Sequence, residues 1–223
     1  MCFDAALPGG KETKVRILST VDNILIGMCL DAEKEIAASV TPIVLFQGLP
    51  KGSKMDLIVR QAAESGVSVV VPFQTEYSTA QIKSASTEKL KRWERIVKEA
   101  RQQSGSATET EISPPCGFDG LLEYWESLKK EHQLPVGILL HQELLEKGSF
   151  HEYLGNSPDL VALAVGPEGG FSPREVSLLL AAGFRPLLMG NTILRTETAA
   201  LYGTAAIRTL LLESEKWTPR QAE

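Results

Sequence analysis

The chain has 223 residues, 43% hydrophobic and 23% charged, with 23 basic against 28 acidic side chains and a net charge of −5. This is the composition of an ordinary globular chain of one or two domains with a proper core, and the acidic balance taken whole argues against a polyanion partner. No apolar run approaches the ~20 residues that span a bilayer, no secretory signal opens the chain, and Cys2, Cys29 and Cys116 are scattered without a CxxC or Cys/His cluster, so the expectation is a cytoplasmic chain with reduced thiols and no metal or disulfide framework.

Residues 1–40 differ in texture from the rest. Residues 14–19 and 23–30 read as strands joined by a short turn, and 33–40 as a third, a small antiparallel β module whose burial is too slight to be stable alone. Phe3 to Leu7 enters it directly, without a preceding strand, so the natural N-terminal edge is expected to be missing or unusually short. From residue 41 the pattern is α/β. Residues 43–46 form a strand, and 47–53 a loop carrying two glycines and Lys51. A helix over 54–65 puts Met55, Ile58, Val59 and Ala62 on one face, and a β-branched strand over 67–71 is expected to stop at Pro72. This strand, helix, strand unit should cross over with the right hand.

Residues 74–86 are polar and aperiodic, an exposed loop. A long helix over 87–103 buries Leu90, Trp93, Ile96, Val97 and Ala100. A loop with one short strand covers 105–117, a helix 119–131, a strand 136–141 and a short helix or turn 148–154. The charge is uneven: residues 41–101 carry ten basic and six acidic side chains, a net of +4 against −9 elsewhere. Lys83, Lys89, Lys91, Arg92, Arg95, Lys98 and Arg101 lie on or beside the long helix. They read either as a solvated face with internal ion pairs or as a phosphate-contacting patch.

The rest of the chain is organised around residues 160–200. A buried strand at 160–165 breaks into Gly166, Pro167, Glu168, Gly169 and Gly170. Ser172, Pro173 and Glu175 then give a cap, a proline at the first helical position and a glutamate three residues after the cap. Gly183 ends that helix, 185–189 is the next strand, and 190–195 a second loop leading into a last helix from about Thr196 to Glu213. Two loops, each between a strand and a helix, thus sit one strand apart at the end of the sheet where α/β ligands gather; the alternative is that the glycines only make tight turns. Neither a dinucleotide fingerprint nor a Gly-Lys-Ser/Thr phosphate loop is present.

Glu168 lies within the first loop, and Arg195 and Glu197 flank the start of the last helix. An arginine there can stabilise an anion and a carboxylate beside it can hold that arginine or accept a proton. Glu197 can equally be a first-turn carboxylate favoured by the helix dipole. His141 ends a strand beside the site, where a lone histidine is more often structural; His132 and His151 have no partners, and no Ser/His/Asp grouping supports nucleophilic hydrolysis.

At these residues the chain resembles a known family. GPEGGFSPRE at 166–175 and MGNTILRTETAA at 189–200 are similar to the two glycine-loop motifs of the RsmE-type methyltransferases, the 16S ribosomal RNA uridine N3-methyltransferases of the SPOUT superfamily. Gln47, Lys51, Gly52, Lys54, Met55 and Asp56 agree, as do Glu64, Gly66, Val67, Arg92, Trp93 and Ile96. So do Glu99, Ala100, Gln103, Ser104 and Gly105, and the resemblance spans about 41–212. It implies an α/β SPOUT-type parallel-sheet domain over 41–223, knotted as a trefoil, and a small PUA-like RNA-binding β module over 1–40. It also implies S-adenosylmethionine as cofactor, held by Leu140, Gly166, Gly170, Leu188, Met189, Gly190, Ile193 and Leu194. The acceptor would be uracil N3 in 16S rRNA of the small ribosomal subunit, and the enzyme a homodimer with no membrane and no metal. Arg195 would stabilise charge on the ring, Glu197 or Glu168 would help remove the N3 proton, and Lys51, Lys54, Arg60, Arg92 and Arg101 would contact RNA. Tyr77, Gln61 and Ser106 stand at or near positions where the family has basic residues, which reduces the expected RNA footprint. A different RNA acceptor, a ribose 2′-hydroxyl or another base, and a non-catalytic RNA-binding or ribosome-assembly module are the competing readings.

Overall fold

The computed structural model describes residues 2–7, 11–21, 24–29, 34–35, 40–79 and 87–214. Near the N-terminus β1 (Cys2–Leu7), β2 (Lys11–Val21) and β3 (Ile24–Cys29) pair antiparallel in that order, and β4 (Lys34–Glu35) pairs with β2. The expected antiparallel module is therefore present with one strand more than the three expected: Cys2–Leu7 is in register with β2 from Cys2↔Arg16 to Leu7↔Lys11. Of the third expected strand, over 33–40, Lys34–Glu35 is a strand and Val40 is not, and residues 33 and 36–39 lie outside the described residues.

The second sheet has six parallel strands in the order β10-β8-β9-β5-β6-β7. These are β5 (Ile43–Gly48), β6 (Val69–Phe73), β7 (Glu111–Ile112), β8 (Pro135–Leu140), β9 (Leu160–Val165) and β10 (Phe184–Leu187). The helices are α1 (Lys54–Glu64), α2 (Thr87–Ser104), α3 (Phe118–Glu131), α4 (Phe150–Leu154), α5 (Pro173–Ala181) and α6 (Thr196–Ser214). Every residue of the central pair β5 and β9 is buried, which is why residues 43–46 and 160–165 read as continuous apolar runs rather than alternating ones.

Alternate residues of the strands feed two cores, as the period of two requires. Ile43, Leu45, Val161 and Leu163 pack with Met55 and Ile58 of α1, Trp93 and Val97 of α2, and Ile207 and Leu211 of α6. Val44, Phe46, Ala162 and Ala164 pack on the other side with Leu121 and Trp125 of α3 and Val176 and Leu179 of α5. The result is a helix, sheet, helix sandwich, in agreement with the expected α/β class.

Pro72 does not stop its strand. β6 runs to Phe73, with Pro72 in register with Gln47 of β5. Its carbonyl accepts from Cys116 N–H at 3.0 Å on the side of β7, where the ladder has already thinned to an isolated Phe73↔Cys116 bridge. A missing N–H costs little there. The strand expected over 185–189 is Phe184–Leu187, so Leu188 and Met189 belong to the loop that follows.

Candidate active site

β9 and β10 lie on either side of β8, so the loops that follow them, 166–172 and 188–195, rise on both sides of the end of β8 at Leu140. Between them is a cavity of about 290 Å³ whose walls include Leu140, Gly166, Glu168, Gly170, Leu188, Met189, Ile193, Leu194 and Arg195, as well as His141, Phe171 and Thr196. Seven of the eight residues expected around a cofactor are in that wall. Gly190 is not; it supplies the turn behind Met189. Glu197 is not in the wall either, although Arg195 and Thr196 before it are.

The first loop is shaped by its own packing. Gly170 has φ +68°, in the left-handed region, and its N–H donates to Pro167 O at 2.9 Å to close the turn. A Cβ on Gly166 would stand 3.0 Å from the Gly170 Cα and 3.3 Å from the Phe171 ring, so the loop folds back on itself this closely only with glycine at 166. The loop then enters α5 through the capping box foreseen in the sequence: Ser172 Oγ accepts from Glu175 N–H, and the Glu175 carboxylate accepts from Ser172 N–H at 2.8 Å. Glu175 is buried, and its other oxygen accepts from Glu76 N–H at 2.8 Å, tying the loop after β6 to this cap.

The second loop is tied to the first from below. Gln47, fully buried at the end of β5, donates from Nε2 to Thr196 Oγ1 at 2.9 Å, and Thr196 Oγ1 donates to Gly166 O at 2.6 Å. α6 starts immediately above, with Ala199 N–H donating to Arg195 O at 2.8 Å. The exposed Arg195 side chain is thereby set on a fixed backbone at the pocket edge.

Three charges meet at the rim. Lys54 Nζ is 2.7 Å from Glu168 Oε1 and 3.5 Å from Glu197 Oε2, and Lys51 N–H reaches both Glu168 oxygens at 3.3 Å. Partial burial alone would push the Glu168 carboxyl up, but the hydrogen bonds from Lys54 and from backbone N–H groups outweigh it and hold the group below the ordinary carboxylate value. The same bond to Glu168 raises the Lys54 ammonium, against a smaller effect of desolvation. Glu197 Oε2 is in ion-pair range of Lys54 but is buried with no hydrogen bond.

The residues expected on RNA divide. Lys54 faces the two carboxylates. Arg92 pairs with Asp56 of α1 and Arg101 with Glu109 at 3.9 Å, while Lys51 and Arg60 expose their side chains. Along α2, Lys89, Lys91, Arg95 and Lys98 face solvent, and Lys83 lies outside the described residues. His141 is in the pocket wall with Nδ1 accepting from Glu143 N–H at 3.1 Å, and His132 lies 3.7 Å from Asp159. Among the described residues no helix is long and apolar enough to cross a membrane and no group of three or more His, Cys, Asp or Glu could hold a metal ion.

Sequence reasoning did not assign Gln47, Thr196 or Phe171 to the site. Gln47 carried a signal, a polar residue closing the otherwise apolar run IVLFQ.

A parallel sheet with a ligand pocket between two glycine loops that flank one strand, the second loop leading into a long last helix, defines a methyltransferase fold of the SPOUT class. A model of the RNA methyltransferase domain matches residues 37–208, and the chain belongs to that family, within the RsmE-type group that its two motifs resemble. Ribosomal RNA small subunit methyltransferase E of Synechocystis sp. is 36% identical over 172 residues, which are 76% of this chain and 54% of that protein. The protein of the same name from Aquifex aeolicus is 34% identical over 171 residues, 75% of this chain and 69% of its own length. The crystal structure of ribosomal RNA small subunit methyltransferase E from Neisseria gonorrhoeae, bound to S-adenosyl methionine, superposes with a TM-score of 0.76 at 27% identity, over 94% of this chain and 83% of that one. The chain spans 54% and 63% of the lengths of its Synechocystis and Mycobacterium bovis relatives.

Proposed function

We propose that the protein is an S-adenosylmethionine-dependent methyltransferase acting on N3 of a uridine in 16S ribosomal RNA of the small subunit. The observation that carries this reading is the pocket between the two glycine loops, with Arg195 at its edge. The pocket fits the cofactor: Gly166 and Gly170 leave a backbone-thin wall, and Leu140, Leu188, Met189 and Leu194 offer apolar sides against a purine and exclude water. When bound, S-adenosylmethionine supplies an electrophilic methyl group. Gly190 takes part by fixing the turn beside Met189.

Uracil N3 carries a weakly acidic proton and becomes nucleophilic only when that proton leaves. Arg195 stabilises the negative charge that then spreads over the ring. Of the two carboxylates, Glu168 is committed to Lys54 and Lys51 and is held below its ordinary pKa, which makes it a poor base. Glu197 keeps a buried oxygen with no hydrogen bond and is assigned the proton, directly or through a water. Lys54 positions both.

RNA is held by the exposed Lys51, Arg60 and outer face of α2, with residues 1–40 as a PUA-like RNA-binding module joined to the catalytic domain over 41–223. The enzyme works in the cytoplasm as a homodimer. The adjoining helices α1 and α6 expose Leu57, Leu201 and Tyr202, the last to 60%, an apolar surface suited to a second copy. Sedimentation should give a dimer, and Tyr202→Glu a monomer.

The deciding experiment is methyl transfer from labelled S-adenosylmethionine to small subunits that lack the modification, followed by nucleoside analysis. Label in 3-methyluridine is the expected result. Label in another nucleoside overturns the acceptor, and binding of the cofactor with no transfer overturns the enzyme.

A further inference from the structure

The tip of the first glycine loop is gripped from two sides. On one side Lys51 N–H bonds the Glu168 carboxylate. On the other, the Tyr77 backbone lies so close to Gly169 that a Cβ there would come within 2.8 Å of the Tyr77 Cβ and 3.2 Å of its carbonyl oxygen. The segment carrying Tyr77 is itself fixed. Thr75 N–H donates to Ser78 Oγ at 3.0 Å, Ser78 N–H to Thr75 O at 3.1 Å, and Glu76 N–H to the buried Glu175 carboxylate at 2.8 Å. Yet Tyr77 is 50% exposed. An aromatic ring on an immobilised backbone, open to solvent beside the pocket and across one turn from an exposed lysine, is not needed by the core.

We propose that Tyr77 is a nucleobase-stacking platform. An unpaired base next to the acceptor nucleotide lays its face on the ring, while Lys51 meets the adjoining phosphate. Every base has a π-face and loses little by stacking when already unpaired, so such a platform suits single-stranded RNA. The fixed backbone means that stacking costs only the ring's own rotamer freedom and no ordering of the loop. The proposal rests on the RNA methyltransferase reading and adds to it a subsite for a neighbouring nucleotide.

Two measurements test it. With small subunits lacking the modification, Tyr77→Ala should raise KM for the subunit about tenfold, within the range that base–aromatic stacking confers. Cofactor affinity by calorimetry should not change, Tyr77→Phe should stay close to wild type, and Tyr77→Leu should behave like Tyr77→Ala. Wild-type KM in Tyr77→Ala, or rescue by leucine, overturns the platform while leaving the enzyme intact; loss in Tyr77→Phe shows a hydroxyl contact and also overturns it. The second measurement needs no turnover: in Tyr77→Trp, a single-stranded uridine-rich RNA decamer should quench fluorescence beyond the change seen in wild type. Quenching without methyl transfer by wild type keeps the platform and removes the acceptor assignment. No extra quenching overturns the platform.

Discussion

Gln47 and Thr196 are 149 residues apart in the chain and 2.9 Å apart in the fold, Nε2 to Oγ1. One hydroxyl thus joins the end of the central strand to the start of the last helix and, through its bond to Gly166 O, to the first glycine loop. Thr196→Val keeps the shape and removes both bonds, leaving Gln47 Nε2 with only its bond to Gly48 O and the half-buried Gly166 O without this donor, at a cost of about 1–3 kcal/mol. Thermal denaturation should show this loss, and calorimetry a weaker affinity for S-adenosylmethionine. Thr196→Ser should restore most of both; if valine binds the cofactor as well as threonine does, the hydroxyl does not shape the pocket.

Lys54 faces two carboxylates, so Lys54→Met should lower turnover more than it weakens RNA binding, the reverse of what loss of a phosphate contact would give. Because folding lowers the Glu168 pKa, the stabilisation from this contact is complete above the ordinary value of 4.5 and fades as pH falls through the lower folded value. The melting-temperature difference between wild type and Lys54→Met should accordingly be constant near neutrality and shrink below about pH 4. An unchanged difference in acid would show that Lys54 stabilises through its stem and not its charge.

Much of this site was legible in the sequence, and what was missed has one physical cause. Ser172, Pro173 and Glu175 announced a capping box because caps are local, and the glycine loops were placed one strand apart because each follows an apolar run. The bonds from Lys54 to Glu168 and from Gln47 to Thr196 join segments more than a hundred residues apart. Periodicity holds no record of such pairs, so the contacts of Lys54 with Glu168 and of Gln47 with Thr196 cannot be read from it. The misread stop at Pro72 has a related origin: whether a missing N–H matters depends on which neighbour that edge of the strand faces.

Arg195 and Glu197 should separate in their pH behaviour. Arg195→Ala is expected to lower kcat by about 100-fold or more, as the loss of a charge-stabilising donor does, with a cofactor affinity near wild type. Glu197→Gln should lower kcat and remove the acid limb of the pH–rate profile, whereas Glu168→Gln should keep that limb. If it is Glu168→Gln that loses the limb, the base has been assigned to the wrong carboxylate.

Gly203 lies within α6 where it crosses the sheet, and a Cβ there would meet Leu163 Cδ2 at 2.9 Å and Leu140 Cδ1 at 3.0 Å. Gly203→Val should destabilise the protein by about 1–3 kcal/mol and, since Leu140 is in the pocket wall, weaken cofactor binding as well. Urea denaturation and calorimetry on the same samples would show whether the two losses travel together.

The helix that covers β5 and β9 is the last element of the described chain, and it brings Ala200, Ile207 and Leu211 into a core whose other walls come from residues 43 onwards. Synthesis proceeds in the opposite order of need. A ribosome that has exposed every strand of the parallel sheet has yet to deliver the cover for its middle, so that face stays wet until Thr196–Ser214 leaves the exit tunnel. Completion of this core is thereby coupled to the emergence of α6. Protease resistance of arrested nascent chains should rise in one late step, rather than strand by strand.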